Sequence, residues 1–150
     1  MPDKLYHCSP EFITGEIVPY HSKKLTTLNG GVITSVVHAS SNLEISIAAA
    51  MLKLYQPHNI KGKFFTPHLK TRGDSPYLIL FDGEITNDRL YLYELPTQEF
   101  IQLGRENDWY IGTPIQPLNK QEIQIDDYRH LIKHATKFDF LAKAAQTLAK

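Results

Sequence analysis

The residues best suited to chemistry are few, and several stand at the ends of apolar runs. His7 and Cys8 follow one another in "KLYHCS", and Cys8 is the single cysteine of the chain. An imidazole beside a thiol suggests an activated nucleophile. Neighbours on a strand point to opposite faces, however, so His7 is badly placed to deprotonate Cys8. The plainer role for His7 is to close the edge of an opening strand. His38 stands near the end of a second apolar run, and Asp108 stands where the polar "GREND" passes into "WYIG". A carboxylate at such a junction either accepts hydrogen bonds from its own turn or faces a cleft and stabilises positive charge. His130 and His134 in "HLIKH" have the spacing of two metal ligands on a helix. No third ligand follows nearby, so a solvated helix face is the better reading and no metal is expected.

Other chemistries are argued against by what is missing. "NGGVIT" lacks the spacing and the lysine of a phosphate-binding glycine loop, and no HExxH occurs. A lone cysteine supports neither a zinc cluster nor an intrachain disulfide.

The elements that must position these residues are readable in outline. "KLYHCS" predicts a first strand and "GVITSVVHAS" a buried second one, rich in β-branched residues. Between them "PEFITGEIVPYHSKKLTTLNGG" reads as one long loop, and loops of that length are often functional. Ser41 and Glu44 have capping-box spacing ahead of "LEISIAAAMLKLY", which predicts a helix stopped by Pro57. Leu43, Ile47, Ala50, Met51 and Leu54 would form its core face, and the alanine run Ala48 to Ala50 would let a neighbour approach closely. "YLILFDG" and "RLYLYELP" read as a pair of strands joined by "EITND", followed by "EFIQL" and "WYIGTPIQPL". Asp126 and Asp127 suit a helix start, and "FLAKAAQTLAK" a final helix or tail over about 137–150. Strands that do not alternate with helices argue for an α+β fold.

The bulk numbers fit one domain over residues 1–150, large enough to bury a core unaided. Sixteen basic residues balance sixteen acidic ones, so no global field favours nucleic acid or an anionic membrane. "HSKK" at His21 to Lys24 is a candidate local basic patch, which leaves nucleic acid open as a partner. No apolar run is long enough to span a bilayer, and "MPDKLYH" has no signal-peptide core. The expectation is a cytoplasmic protein without a membrane partner.

Taken in order, "LYHCS", "VVHASSNLEISIAAA" and "NDWYIGTPIQP" resemble the three motifs of the ADP-ribosyltransferase fold of the diphtheria-toxin and poly(ADP-ribose) polymerase type. The chain also looks like small uncharacterised bacterial and phage proteins of that fold. The resemblance runs from Leu5 to about Tyr128. It implies two packed, mainly antiparallel sheets forming a cleft, flanked by helices, with NAD as substrate. By this likeness His7 would hydrogen-bond a ribose hydroxyl, and Cys8 and Ser9 would offer main-chain groups to the nicotinamide. His38 and Ser40 would line the site, with His38 stacking in place of the family's tyrosines, for which Val37 and Ala48 stand at the nearest matching positions. Asp108 would hold the nicotinamide ribose and stabilise charge as the glycosidic bond breaks. His7, His38 and Asp108 should then share one cleft between the sheets, bordered by a mobile loop "PYHSKKLTTLNGG" whose lysines could meet a pyrophosphate. Two departures stand out: cysteine follows His7 where the family has glycine, and Asp108 is one methylene shorter than glutamate.

The resemblance implies transfer of ADP-ribose from NAD to an unknown macromolecular or small acceptor. Its alternatives are a nucleotide- or protein-binding module of the same fold without turnover, and a phage or operon accessory protein acting by protein contact.

Overall fold

Alternation along the opening strand decides how the sheets are covered. In the computed structural model, which describes residues 2–26, 32–58, 67–72, 75–104 and 106–135, β1 (Leu5–Ser9) is buried on both sides. Leu5 packs with Val37, Ala39, Tyr93, Leu95 and Ile111 on one face, and Cys8 packs with a helix on the other. A strand buried on both faces belongs in the middle of a sheet, and β1 is central. The large sheet has seven strands. Its main path runs β11 (Asn119–Gln124), β8 (Arg89–Leu95), β1, β3 (Val32–Ser40), β10 (Asp108–Ile111), β9 (Ile101–Gln102). The remaining strand, β2 (Tyr20–Thr26), pairs with the N-terminal half of β3. All these pairings are antiparallel.

A three-stranded sheet stands apart: β5 (His68–Arg72), β6 (Ser75–Phe81) and β12 (Ile132–Ala135), with β12 parallel to β6. A short pair, β4 (Gln56–Pro57) with β7 (Gly83–Glu84), completes the strands. A 3-10 helix, Ile125–Leu131, begins with the expected Asp126 and Asp127.

Helix α1 (Leu43–Leu52) lies between the two larger sheets, touching β1 and β3 on one side and β5 and β6 on the other. That position explains its composition. Ile45, Ser46, Ile47, Ala48, Ala50 and Met51 are all buried, a wider band than a surface helix presents. Met51 and Ile47 join Leu78 and Leu80 from β6 and Leu90 and Leu92 from β8 in one core. Each large apolar side chain so buried contributes roughly 1.5–3 kcal/mol. The opposite face of the large sheet is covered by segments rather than a sheet. Tyr93 Oη accepts from the Ile13 amide at 2.6 Å, and Ile17 and Ile115 exchange backbone hydrogen bonds at 2.8 and 2.9 Å.

The α+β class and the mainly antiparallel sheets are observed. Several local expectations need correction. The long loop after β1 contains β2, because its Tyr20–Thr26 backbone finds partners along β3. The helix cap is Asn42, whose side chain accepts from the Ile45 amide at 3.0 Å. Ser41 is diverted, donating through Oγ to Asn107 Oδ1 at 2.8 Å. The two strongest strands, β6 and β8, belong to different sheets. His130 lies in the 3-10 helix and His134 on β12, so the two do not share a helix face, and the described residues hold no metal-binding cluster. The C-terminal segment over about 137–150 lies outside the described residues, as do the side chains of "HSKK". No described helix is long and apolar enough to cross a membrane.

Gly83 is where the short pair closes on Tyr55. A Cβ there would stand 2.2 Å from Tyr55 Cε2 and 2.7 Å from the Gln56 carbonyl oxygen. Gly112 has nothing within 4 Å of the same position. Urea unfolding should show Gly83→Ala destabilised by about 1–3 kcal/mol, with Gly112→Ala within about 0.5 kcal/mol of the parent. Equal effects would contradict the packing described.

Candidate functional site

β1 and β3 stay in register for one residue pair, Tyr6 with Ser40, and then part. β3 next pairs on with β2, beginning at Val36 and Tyr20. Between Ser40 and Val36 the strand therefore has a carbonyl, that of His38, without a strand partner on this edge. A buried carbonyl left unpaired is costly. His7 supplies the missing donor: its Nδ1 lies 2.8 Å from the His38 oxygen. The Nδ1 proton is committed to that bond, so in the neutral ring Nε2 carries a lone pair. Burial holds the His7 imidazole below its ordinary value of 6.5, opposed in part by the carbonyl it bonds. The ring is neutral at physiological pH.

His38 connects this point to the next strand. On β10, Tyr110 is directly opposite His38 and Asp108 is opposite Ser40. The His38 ring stacks on Tyr110 with centroids 4.8 Å apart, and its Nε2 donates to Asp108 Oδ1 at 3.3 Å. The start of β10 is fixed to the β3–α1 junction by Asn107, which takes the Ser41 hydroxyl and the Ser41 amide. His7, His38 and Asp108 thus form a linked row across three adjacent strands. The expected cleft between two sheets is replaced by a row along one sheet, with the cavity beneath α1, because α1 fills the space between the sheets.

Where β1 and β3 part, a cavity of about 90 Å³ opens beneath α1. Its strand wall includes Tyr6, His7, His38 and Ser40, with Tyr20 from β2; its helix wall includes Ser46 and Lys53. Small residues at Ala49 and Ala50 keep the helix side open, so part of the alanine run serves the cavity as well as the core. Ser46 is 6% exposed, and its hydroxyl has no hydrogen-bond partner among the described residues. Lys53 Nζ lies 5.3 Å from the Tyr20 ring centroid, at the other end of the helix wall.

Of the residues singled out from the sequence, His7, Cys8, His38 and Ser40 line the cavity. Cys8 does so with a thiol that burial pushes up to about 12, which makes it a packing group and not a nucleophile. Ser40 Oγ is occupied by the Asn42 amide at 3.1 Å. Ser9 is outside the cavity lining, its Oγ accepting from the Glu11 amide at 3.2 Å as the chain turns away. Asp108 reaches the site through His38. Tyr20, Ser46 and Lys53 complete the lining beyond those residues, Tyr20 on a strand whose sequence has the composition of a loop. Ser46 was readable as a polar residue inside an apolar helix.

Comparison with known proteins gives no match: no family model, no curated protein and no solved structure aligns with the chain.

The lowered His7 value has a consequence for stability. Above pH 6.5 the ring is neutral in both folded and unfolded chains. Below it the unfolded chain binds a proton that the folded one resists, so stability is lost as pH falls toward the folded value. The loss is bounded by about 1.4 kcal/mol per pH unit. Relative to wild type, His7→Gln should flatten the decline below pH 6.5. Parallel curves would show that His7 is not the group concerned.

Proposed function

We propose that the chain is an ADP-ribosyltransferase-like protein that takes NAD as substrate, with His7 and Asp108 as its catalytic pair. What carries the reading is the linked row: His7 bonded to the His38 backbone, and the His38 ring bonded to Asp108. It brings together the residues that the three sequence motifs single out, over a hundred positions of chain. The cavity volume of about 90 Å³ suits one ring of a ligand. Whole drug-sized ligands occupy roughly 300–1,000 Å³, so the rest of a dinucleotide would lie outside it.

In this reading the Ser46 hydroxyl and the His7 Nε2 lone pair are a donor and an acceptor offered to a polar ring such as nicotinamide. Tyr20 and Tyr6 supply apolar walls. The Asp108 carboxylate faces positive charge developing on the adjoining ribose as the bond to nicotinamide breaks. Nicotinamide leaves with the bonding electrons, the acceptor's nucleophile bonds the anomeric carbon, and its proton is released. Electrostatic help of this kind is worth about 3–4 kcal/mol per well-placed group. A second reading, a nucleotide-binding module without turnover, draws on one observation: an Asp108 oxygen is already held by His38.

Nicotinamide release from NAD, followed alongside calorimetric binding, separates the two. On the enzyme reading wild type releases nicotinamide, and Asp108→Asn keeps binding while release falls about 100- to 1,000-fold. Binding without release favours the module, and neither at about millimolar NAD, a concentration at the top of ordinary KM values, sinks both. Ser46→Ala should give opposite signs in two assays. Removing an unpartnered buried hydroxyl raises stability by about 1 kcal/mol, while loss of one hydrogen bond weakens nicotinamide binding about 3- to 10-fold. A change in stability alone would remove Ser46 from the site.

A further inference from the structure

The small sheet has a face that the core does not use. Leu69, Leu78 and Ile132 stand in register and turn inward onto the core. Alternation turns the neighbouring positions outward: His68, Lys70 and Arg72 on β5, the half-buried Tyr77 and Ile79 on β6 with Phe81, buried, at the far end against His68, and Lys133 on β12. Lys70 is directly opposite Tyr77, and Lys133 Nζ lies 4.4 Å from the Tyr77 ring centroid from the other neighbouring strand. Tyr77 is thus flanked by cations on both sides, with Arg72 beyond.

The charge on this face is segregated. The strands "HLKTR", "SPYLILF" and "IKHA" contain no acidic residue, although the whole chain has as many acids as bases. Lys70, Arg72 and Lys133 are exposed, and none has an ion-pair partner among the described residues. Cations gathered without counter-charge around an aromatic ring suit a polyanion with rings of its own.

We propose that this face binds single-stranded nucleic acid, with Lys70, Arg72 and Lys133 on phosphates and Tyr77 as a platform for a base. Exposed cations set around an aromatic ring match unpaired bases, whereas a duplex presents its bases stacked and buried. A lipid surface fits less well, since amphipathic membrane contact needs projecting apolar anchors. Among the described residues, the exposed large apolar ones, Phe12, Val18, Tyr20, Ile101 and Leu118, belong to other parts of the fold. The proposal is independent of the NAD reading.

The test uses the full chain with an end-labelled oligothymidylate of about 16 nucleotides, read by fluorescence anisotropy at low salt. Log affinity should fall with log salt at a slope of about −2, from three phosphate contacts at about 0.7 each for a single strand. Lys70→Gln and Lys133→Gln, which remove exposed side chains without acidic partners among the described residues, should each move the slope toward zero by about 0.7 and leave melting temperature unchanged. Tyr77→Leu should weaken single-strand binding about 5-fold or more and reduce the preference over duplex. The proposal is overturned by no binding, by variants that bind as wild type does, by equal affinity for duplex, or by binding only to phosphatidylserine vesicles.

Discussion

The hydrogen bond from His7 Nδ1 to the His38 carbonyl is what allows the sheet to be parted without being broken. A pair of central strands that separates after one register step leaves backbone groups that neither strand can satisfy. Filling the gap with an imidazole closes the His38 carbonyl, at 2.8 Å, and leaves the second ring nitrogen for other partners. The cost is a titratable group held neutral by burial. The cavity exists because a side chain, and not another strand, completes the edge of β3.

Helix α1 sets the other boundary. Its Ile47 and Met51 tie the large sheet to the small one, which fixes the height of the helix over the gap. Ser46, Ala49 and Ala50 then face that gap with little bulk. A helix with a narrower apolar stripe would pack on one sheet only and would leave β6 uncovered. The same arrangement turns the outer side of β5, β6 and β12 away from the core, where Lys70, Arg72 and Lys133 have no acidic partner among the described residues. Core packing, the cavity beneath α1 and the basic outer face are thus consequences of one sandwich.

Much of this was legible locally and little of it globally. β1, β3, β6, β8 and α1 follow from runs of apolar and β-branched residues whose own chemistry decides their conformation. β2 was hidden, since "YHSKKLT" has the composition of a loop and is held by the partner backbone of β3. Ser41 looked like the better cap by its spacing to Glu44, but Asn107, sixty-six residues away, competes for its hydroxyl. Sheet membership of β6 and β8 was likewise out of reach, as their sequences look alike and only α1 divides them. His7, His38 and Asp108 could be chosen from the sequence because each sits at a junction between polar and apolar text. Tyr20 and Ser46 depend on a strand pairing and a helix orientation that periodicity alone does not give.

The account rests most directly on the protonation of one ring. Nitrogen NMR of histidine-labelled protein at neutral pH, with His7→Gln to assign the signal, reads the tautomer of His7. Donation to the His38 carbonyl requires a proton on Nδ1 and burial keeps the ring neutral, so the expected result is the neutral ring protonated on Nδ1, the less common form in water. A neutral ring carrying its proton on Nε2 would mean that the carbonyl is not closed by His7 and that the gap between β1 and β3 is held open by something else, while a doubly protonated ring would keep the bond and contradict the neutrality that burial imposes.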